Sequence, residues 1–233
     1  MKTHFEYLAE QLPDLREASI LDVGSGKGAF LLDAVRHNAK TTGLEMSEAY
    51  IKLTHERLSA AGYTAQIVQG VAEKMPLPDQ AFDFINICEV IEHVENPEAM
   101  LREVFRVLRP GGHVYLSAPN RFGMRDQHFH LYFVNWLPRV FADYYISFWR
   151  DHKDYADTSA GRQRLADMHY YTYRTILRLL KNVGFTVEDI RITRIRKEMR
   201  GTKRIVATMA YPLARSIYLD AFHLLLEKPQ KES

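Results

Sequence analysis

Cysteine and long apolar runs are scarce in this sequence. Cys88 is the only cysteine, so the chain cannot form an intrachain disulfide, and no Cys/His array has metal-ligand spacing. We therefore expect no metal site. No run approaches the ~18 apolar residues that a membrane-spanning helix needs. Charges interrupt the apolar stretches of residues 1–15, a pattern that argues against a signal peptide. We expect a cytoplasmic protein.

The sequence also lacks an excess of either charge. It has 31 Lys and Arg against 29 Asp and Glu, and the formal net charge of +2 gives no reason to expect a nucleic-acid partner. Hydrophobic residues make up 46% of the 233 positions and charged residues 26%, as in ordinary globular proteins. This length fits one large α/β domain with an insertion.

Strand and helix patterns alternate through the first half of the chain. Strands are predicted over residues 19–23, 41–45, 65–69, 82–88 and 113–118, and helices over residues 3–12, 27–37 and 47–61. A further helix begins at Asn96-Pro97, with an N-cap and a first-turn proline, and Pro110-Gly111-Gly112 stops it. Strands alternating with helices of this length favour parallel βαβ units.

The pattern changes after Asn120. Residues 121–170 are rich in aromatic residues without a clean period, and we interpret them as a lid inserted into a core formed by residues 1–120. Residues 171–233 are expected to complete the sheet within the same domain. They are predicted to contain a helix over 172–183 closed by Gly184, strands over 185–195 and 203–211 forming a hairpin around Arg196–Arg204, and a terminal amphipathic helix over 213–226.

A glycine loop follows the first strand, with the spacing Gly-x-Gly-x-Gly at Gly24, Gly26 and Gly28. Dinucleotide sites have one more residue before the last glycine, so that a pyrophosphate can sit on the helix N-terminus. Asp22 would add negative charge beside a phosphate but suits a ligand with an ammonium group. Glu45 ends the second strand, where a carboxylate can accept both ribose hydroxyls. The alternative interpretation is a tight strand-to-helix turn without a ligand.

Residues 20–119 resemble the class I S-adenosylmethionine (SAM)-dependent methyltransferases, in the branch that includes the ubiquinone-biosynthesis type. The matching blocks, in order, are residues 21–28 (LDVGSGKG), 43–47 (GLEMS), 72–79 (AEKMPLPD), 82–83 (FD), 90–94 (VIEHV) and 108–112 (LRPGG). The resemblance covers under half of the chain. The predicted fold is therefore α/β: a Rossmann-like, mostly parallel seven-stranded sheet with helices on both faces and an inserted lid.

The resemblance implies a role for each cofactor-site residue. Gly24, Gly26 and Gly28 would back the methionine part of SAM, with Asp22 near its amino group and Cys88 beside it; Glu45 would hold the ribose, Met46 would pack on the adenine, and the Ala72 backbone would face the adenine edge. The family often has Asp where this chain has Val71. Glu73, a backbone carbonyl or a water would then accept from the adenine amino group.

Methyl transfer to a neutral amine or a hydroxyl also requires a general base. The candidate catalytic residues are His93, His128, His130 and His169. His93 follows the fourth strand, His128 and His130 lie in the insertion, and His169 precedes a helix. For each, the alternative is a structural role in a loop or at a helix start.

The acceptor is expected to be a small molecule that is methylated at an O or N atom, with a lipid or glycan pathway as its expected source. Aromatic residues over 129–149 would line its pocket or form a small satellite core. Basic residues over 191–204 lie beside an apolar stripe of Leu213, Ile217, Ala221 and Leu224. This arrangement favours either contact with an anionic surface, such as the lipid headgroups of a membrane or a phosphorylated acceptor, or a solvated hairpin plus a helix packed on the sheet.

Two other functions compete with methyl transfer. One is a NAD-type oxidoreductase, against which the loop spacing and Asp22 argue. The other is a SAM-binding-fold protein without catalysis, which Val71 permits. The sequence leaves the oligomeric state open.

Overall fold

The computed structural model describes residues 3–12, 15, 17–149 and 164–230. Their centre is a seven-stranded sheet in the order β3-β2-β1-β4-β5-β7-β6, in which β7 runs antiparallel to both of its neighbours. The other pairings are parallel. The predicted α/β Rossmann-like class with a mostly parallel sheet is confirmed.

The strands are β1 (Ser19–Val23), β2 (Lys40–Glu45), β3 (Gln66–Gln69), β4 (Phe82–Ile87), β5 (Leu108–Pro119), β6 (Thr186–Asp189) and β7 (Ala221–Glu227). The helices are α1 (His4–Gln11), α2 (Ala29–Arg36), α3 (Glu48–Ala60), α4 (Pro97–Val107), α5 (Arg139–Trp149), α6 (Tyr173–Val183), α7 (Ile190–Glu198) and α8 (Gly201–Ile217). Among the described residues, no helix combines the length and apolar character that a membrane crossing requires.

Local capping explains where three of these helices begin. The side chains of Ser47, Asn96 and Thr172 each accept a hydrogen bond from the backbone N–H three residues later, which satisfies a donor that the first helical turn leaves unpaired. Gly184 ends α6 in the left-handed conformation. These signals are local, and the sequence predictions that used them are confirmed.

Two apolar cores lie against the sheet. The larger includes Met100, Leu101, Val104 and Val107 of α4, together with residues of α6 and β7. The smaller packs α1 against β1 and β4 through Phe5, Leu8, Ile20 and Phe84. Helices therefore cover both faces and leave the carboxyl ends of β1, β2 and β4 to carry a site.

The prediction for the C-terminal region is wrong in three places. Strands were predicted over 185–195 and 203–211, joined by a basic turn. Instead, residues 190–198 form helix α7 and residues 201–217 form helix α8. The helix predicted over 213–226 does not exist as such, because α8 ends at Ile217 and residues 221–227 form β7. Ala221 and Leu224 of the expected helical stripe therefore lie on a strand. Strands β6 and β7 lie at one edge of the sheet, and the last element of the chain is a strand and not an amphipathic helix.

The described part of the insertion has a small core of its own. Phe129, Val134, Ala142, Ile146, Leu165 and Met168 form this cluster, which is separate from the two cores against the sheet. Three aromatic residues of α5, Phe141, Tyr144 and Phe148, are more than half exposed, whereas Tyr145 packs against this cluster. Residues 150–163 of the predicted lid lie outside the described residues.

Candidate active site

The loop between β1 and α2 turns three times through the left-handed region. Gly24, Gly26 and Gly28 have φ angles of 68°, 51° and 71°, which glycine adopts without strain. A Cβ at Gly24 would lie 2.6 Å from Val90 Cγ2, and one at Gly28 would lie 2.4 Å from Thr54 Cγ2. A Cβ at Gly26 would meet only a backbone oxygen, at 3.9 Å. The loop is therefore packed at both ends and open at its middle glycine.

Glu45 is held at the carboxyl end of β2, directly beside this loop. Its Oε2 accepts from Gly26 N and its Oε1 accepts from Ser47 N, each at 2.9 Å. The carboxylate is thus fixed between the glycine loop and the start of α3. Each oxygen keeps a second lone pair. This geometry fits a ribose whose two hydroxyls donate to one carboxylate.

Asp22 is buried one residue before the end of β1. Its Oδ1 accepts from Asn86 Nδ2 at 2.7 Å. Burial raises the pKa of the Asp22 carboxyl to about 7; the Asn86 hydrogen bond opposes this shift and the charge of Glu45 adds to it. A buried carboxyl with this pKa gains from a neighbouring cation, which fits the ammonium group of SAM.

The predicted adenine-side residues follow β2 and β3. Met46 is exposed and free to pack on a ring, and Val71 is also exposed. Ala72 is buried beside it. Glu73 Oε1 accepts from Glu95 N at 2.8 Å, so this oxygen ties the loop to the entry of α4. That contact favours a backbone carbonyl or a water as the acceptor for the adenine amino group.

Cys88 directly follows β4. Desolvation of the sulfur and the charges of Glu89 and Asp22 raise the pKa of its thiol to about 12, although the residue as a whole is exposed. Cys88 is therefore a neutral thiol at ordinary pH and is not a candidate nucleophile.

Two of the four predicted histidines meet in a cluster past β4. His128 Nε2 lies 3.1 Å from Glu92 Oε1, with both side chains almost fully buried. The rings of His93 and His128 are 5.2 Å apart in an edge-to-face arrangement. Glu92 Oε2 is buried and has no hydrogen-bond partner among the described residues. His93 is the half-buried member of this Glu92–His93–His128 cluster.

The insertion is attached to this cluster through Asp126. Its Oδ1 accepts from His128 N and Phe129 N, and its Oδ2 accepts from Tyr170 OH at 2.7 Å. His169 also joins here, but through its backbone, since its N–H donates to the Glu92 carbonyl at 3.0 Å.

The fourth predicted histidine, His130, lies near this attachment but outside the cluster. Its N–H donates to the Asp126 carbonyl, and its φ angle of 57° is left-handed. Asp126 and Glu92 were absent from the sequence prediction. Glu92 had a signal, as a charge inside the apolar stretch over 90–94, whereas Asp126 lies in the polar stretch over 125–128 and had none.

The same cluster has the donor types of a divalent-metal site. One ligand atom from each of Glu92, His93 and His128 lies within 4.8 Å of the others. Imidazole nitrogens with one carboxylate oxygen suit borderline transition metals. However, Glu92 Oε1 and His128 Nε2 face each other as a hydrogen-bonded pair, so the present geometry is also that of a carboxylate orienting an imidazole.

A row of hydrogen-bonded polar side chains beneath the proposed cofactor site was not predicted from the sequence. Asn86 links Asp22 to His4 of α1, whose Nε2 lies 3.0 Å from Asn86 Oδ1. Farther along the same face, Tyr115 OH lies 2.6 Å from His223 Nδ1, and burial lowers the pKa of His223 to about 4. Tyr115 and His223 line a cleft of about 640 Å³ between α1, α7 and β7.

Comparisons with known proteins agree with this geometry. Residues 21–116 match the family described as "Methyltransferase domain". The chain is 26% identical over 196 residues to a protein named demethylmenaquinone methyltransferase from Listeria monocytogenes serotype 4a (strain HCC23), covering 78% of this chain and 82% of that relative. It is 33% identical over 110 residues to a ubiquinone biosynthesis O-methyltransferase from Pseudomonas fluorescens (strain Pf0-1), covering 46% of this chain and 47% of that protein.

A solved structure has the same fold along nearly its whole length. The SAM-dependent methyltransferase from Mesorhizobium loti superposes with a TM-score of 0.60 at 22% identity, covering 95% of each chain. Residues 21–116 match a methyltransferase domain, and the two relatives and this fold support a class I SAM-dependent methyltransferase, a class whose cofactor is SAM.

Proposed function

We propose that this enzyme transfers the methyl group of SAM to an O or N atom of a small, partly apolar acceptor from a lipid pathway. The fixed carboxylate of Glu45 carries the cofactor part of the proposal, because it bridges the glycine loop and α3 where a ribose would lie. The acceptor class rests on the relatives, which are named for demethylmenaquinone and ubiquinone biosynthesis. Quinone-ring precursors are therefore the first acceptors to test.

Each cofactor-site residue has a proposed role. Asp22 faces the ammonium group, Glu45 accepts from the ribose hydroxyls, and Met46 packs on the adenine. Gly24, Gly26 and Gly28 keep side chains out of the methionine path, Cys88 borders it as a neutral thiol, and Ala72 and Glu73 shape the adenine edge. SAM supplies an activated methyl group on a sulfonium, so the protein mainly aligns the acceptor with it.

Proton removal is assigned to the Glu92–His93–His128 cluster. His93 takes the proton from the acceptor O–H or N–H as the new bond to the methyl carbon forms, and the carbon–sulfur electron pair stays on sulfur. The buried Glu92 carboxylate stabilises the imidazolium that results. His128, held by Glu92 and Asp126, positions the His93 ring. His169 holds the lid against this cluster through its backbone, and His130 closes a turn within the lid.

The lid proposal concerns residues 121–170. Its separate core and outward-facing aromatic side chains support a segment that covers the acceptor and contributes apolar surface to it. We assign residues 1–120 to the cofactor-binding core and 171–233 to completion of the sheet, within one domain.

The cofactor assignment is tested by calorimetry with S-adenosylhomocysteine, the demethylated product of SAM, and with NAD. We expect the wild-type protein to bind S-adenosylhomocysteine and not NAD. Glu45→Ala should weaken that binding by about a hundredfold, because the hydrogen bonds of a charged group are lost. Glu48→Ala, at an exposed carboxylate in the first turn of α3, is the matched control. NAD binding, or equal affinity in both variants, would overturn the assignment.

The catalytic part is tested separately with labelled SAM and reduced quinone-ring precursors that lack the methyl group. Label on an O or N atom of the extracted acceptor supports the proposal, and label on a ring carbon would overturn its choice of atom. Tight binding of S-adenosylhomocysteine without transfer to any hydroxylated or amino acceptor would favour a SAM-binding protein without catalysis.

A further inference from the structure

Helix α8 has an apolar face that the described residues leave uncovered. Exposed fractions on this face are 58% for Ile205, 65% for Val206, 76% for Met209, 68% for Leu213 and 38% for Ile217. At 3.6 residues per turn these positions fall within an arc of about 120°. Scattered exposed apolar residues are ordinary, but a continuous stripe marks an interaction surface.

The opposite side of α8 attaches the helix to the sheet. Tyr211 OH donates to Asp189 Oδ1 at 2.7 Å, and Arg215 Nη1 donates to Asp189 Oδ2 at 3.2 Å. Asn120 Nδ2 donates to the carbonyl oxygens of Arg215 and Leu219. Tyr211 and Arg215 point away from the stripe by about half a turn. The stripe is therefore directed outward by the way the helix is anchored.

The surface around the stripe is strongly positive. Residues 190–217 contain eight Lys and Arg and a single acidic residue, Glu198. Glu198 is paired with Arg194 at 2.8 Å. The exposed cations besides Arg194 are Arg196, Lys197, Arg200, Lys203 and Arg204. Helix α5 also exposes an apolar face, but its charged residues are one Arg and one Asp, so the excess of cations belongs to α7 and α8.

We propose that α8, with the end of α7, docks on the surface of an anionic lipid bilayer. The stripe lies at the boundary between headgroups and acyl chains, and Arg196, Lys197, Arg200 and Lys203 contact lipid phosphates. An apolar stripe beside cations is the arrangement of helices that lie in the plane of a membrane surface. A second copy of this chain fits the surface less well, because it would bring two positive surfaces together.

The proposal is tested by co-sedimentation of the full chain with vesicles, without SAM or acceptor. We expect binding to vesicles of phosphatidylcholine mixed with phosphatidylglycerol, little binding to phosphatidylcholine alone, and release by high salt. The double variant R200Q/K203Q should reduce partitioning about fivefold for each cation removed. M209Q/L213Q should reduce it at least about tenfold, because two apolar side chains no longer insert.

The matched control is K52Q/L53Q, which changes an exposed cation and an exposed apolar residue on α3. It should bind vesicles as the wild type does, and melting temperatures show whether each variant is folded. Absence of binding to anionic vesicles at low salt, or equal binding by all folded variants, would overturn the proposal. So would a dimer that M209Q/L213Q converts to a monomer without any vesicle binding. These outcomes do not depend on the cofactor measurements, so either proposal can fail alone.

Discussion

Asp22 is a buried carboxyl whose affinity for a proton changes on folding. Burial raises its pKa from the model-peptide value of 3.8 to about 7. The folded protein therefore keeps, in that pH window, a proton that the unfolded chain releases. It follows that this group makes the free energy of unfolding fall as the pH rises from about 4 to about 7. A bound ammonium group pairs with the ionised Asp22 carboxylate and therefore favours loss of this proton.

The affinity for S-adenosylhomocysteine should consequently depend on pH below about 7. We expect about a tenfold loss of affinity per pH unit below the pKa of Asp22, since binding must then release its proton. Asp22→Asn should bind more weakly at pH 8 and lose most of this dependence. Calorimetry across a pH series, with Glu48→Gln as the control, measures both. Equal slopes in wild type and Asp22→Asn would show that another group titrates.

Replacing His93 should lower turnover and leave the affinity for the cofactor product unchanged. His93→Ala is expected to lower kcat by about a hundredfold to ten-thousandfold, the usual contribution of a general base, while the affinity for S-adenosylhomocysteine stays within about twofold. His55→Ala, at an exposed histidine on α3, should leave both unchanged. Single-turnover rates and calorimetry on the same preparations separate the two effects.

Turnover measured after treatment with a chelator tests whether His93 acts as a base or as a metal ligand in this cluster. If His93 accepts a proton, wild-type turnover persists after chelation, and added zinc inhibits because it occupies the imidazole. Loss of turnover on chelation, restored by a divalent cation, would reassign Glu92, His93 and His128 as metal ligands.

The sequence could indicate candidate cofactor residues because their signals are local. The loop glycines lie within five residues, Glu45 follows Gly28 by 17 residues, and adjacent strand ends place them together. Partners in the two proposed sites come from farther away: Asn86 lies 64 residues beyond Asp22 at the cofactor site, and His128 lies 36 residues beyond Glu92 in the histidine cluster. Such pairs depend on the register of the sheet and on the path of the insertion, which a single sequence pattern does not encode.

At the scale of elements, the glycine loop depends on the helix packed behind it. Thr54 of α3 is fully buried, and its Oγ1 donates to the Gly26 carbonyl at 2.8 Å. Its Cγ2 occupies the space where a Cβ on Gly28 would lie. The loop conformation and the α2–α3 contact are therefore coupled through one side chain.

Gly28→Ala should destabilise the protein by about 3 kcal/mol, combining left-handed backbone strain with the steric conflict. In a Thr54→Ser background the cost should fall by about 1 kcal/mol or more, because serine lacks Cγ2 but keeps the hydroxyl donor. Urea unfolding of the four proteins gives this coupling directly. An equal cost of Gly28→Ala in both backgrounds would mean that the backbone strain accounts for the whole effect.

The C-terminal elements show where pattern reasoning failed and why. Ile190, Ile192 and Thr193 suggested a strand, but Asp189 caps the segment, its Oδ1 accepting from the N–H groups of Arg191 and Ile192. β7 was missed because its apolar residues continue the helical spacing of α8. It forms a strand because it pairs with β5 and β6, which are far away in sequence.

At the scale of the whole molecule, Asp189 joins the sheet to both C-terminal helices. It ends β6, caps α7 and binds Tyr211 and Arg215 of α8, and the Arg215 guanidinium lies 3.3 Å from the centre of the Tyr173 ring. The sheet and the proposed membrane surface are thus connected through one buried carboxylate. Removing it leaves a half-buried guanidinium and a buried hydroxyl without their acceptor.

Asp189→Ala should therefore lower the free energy of unfolding by about 3–5 kcal/mol, as when one partner of a buried ion pair is removed. The loss should be uneven across the molecule. Amides of α7 and α8 should exchange hydrogen much faster, whereas β1, β4 and β5, which lie in the two cores, keep most of their protection. Exchange measured by mass spectrometry on the folded protein resolves the two regions.

Glu198→Ala is the control for this prediction, because it removes an exposed ion pair on the same helix and should change little. Uniform acceleration across the sheet and both helices would mean that Asp189 stabilises the domain as one cooperative unit. Acceleration confined to α7 and α8 would mean that these helices open independently of the sheet. In that case Asp189→Ala should also bind anionic vesicles more weakly, since the stripe on α8 is then no longer held outward by its anchored side.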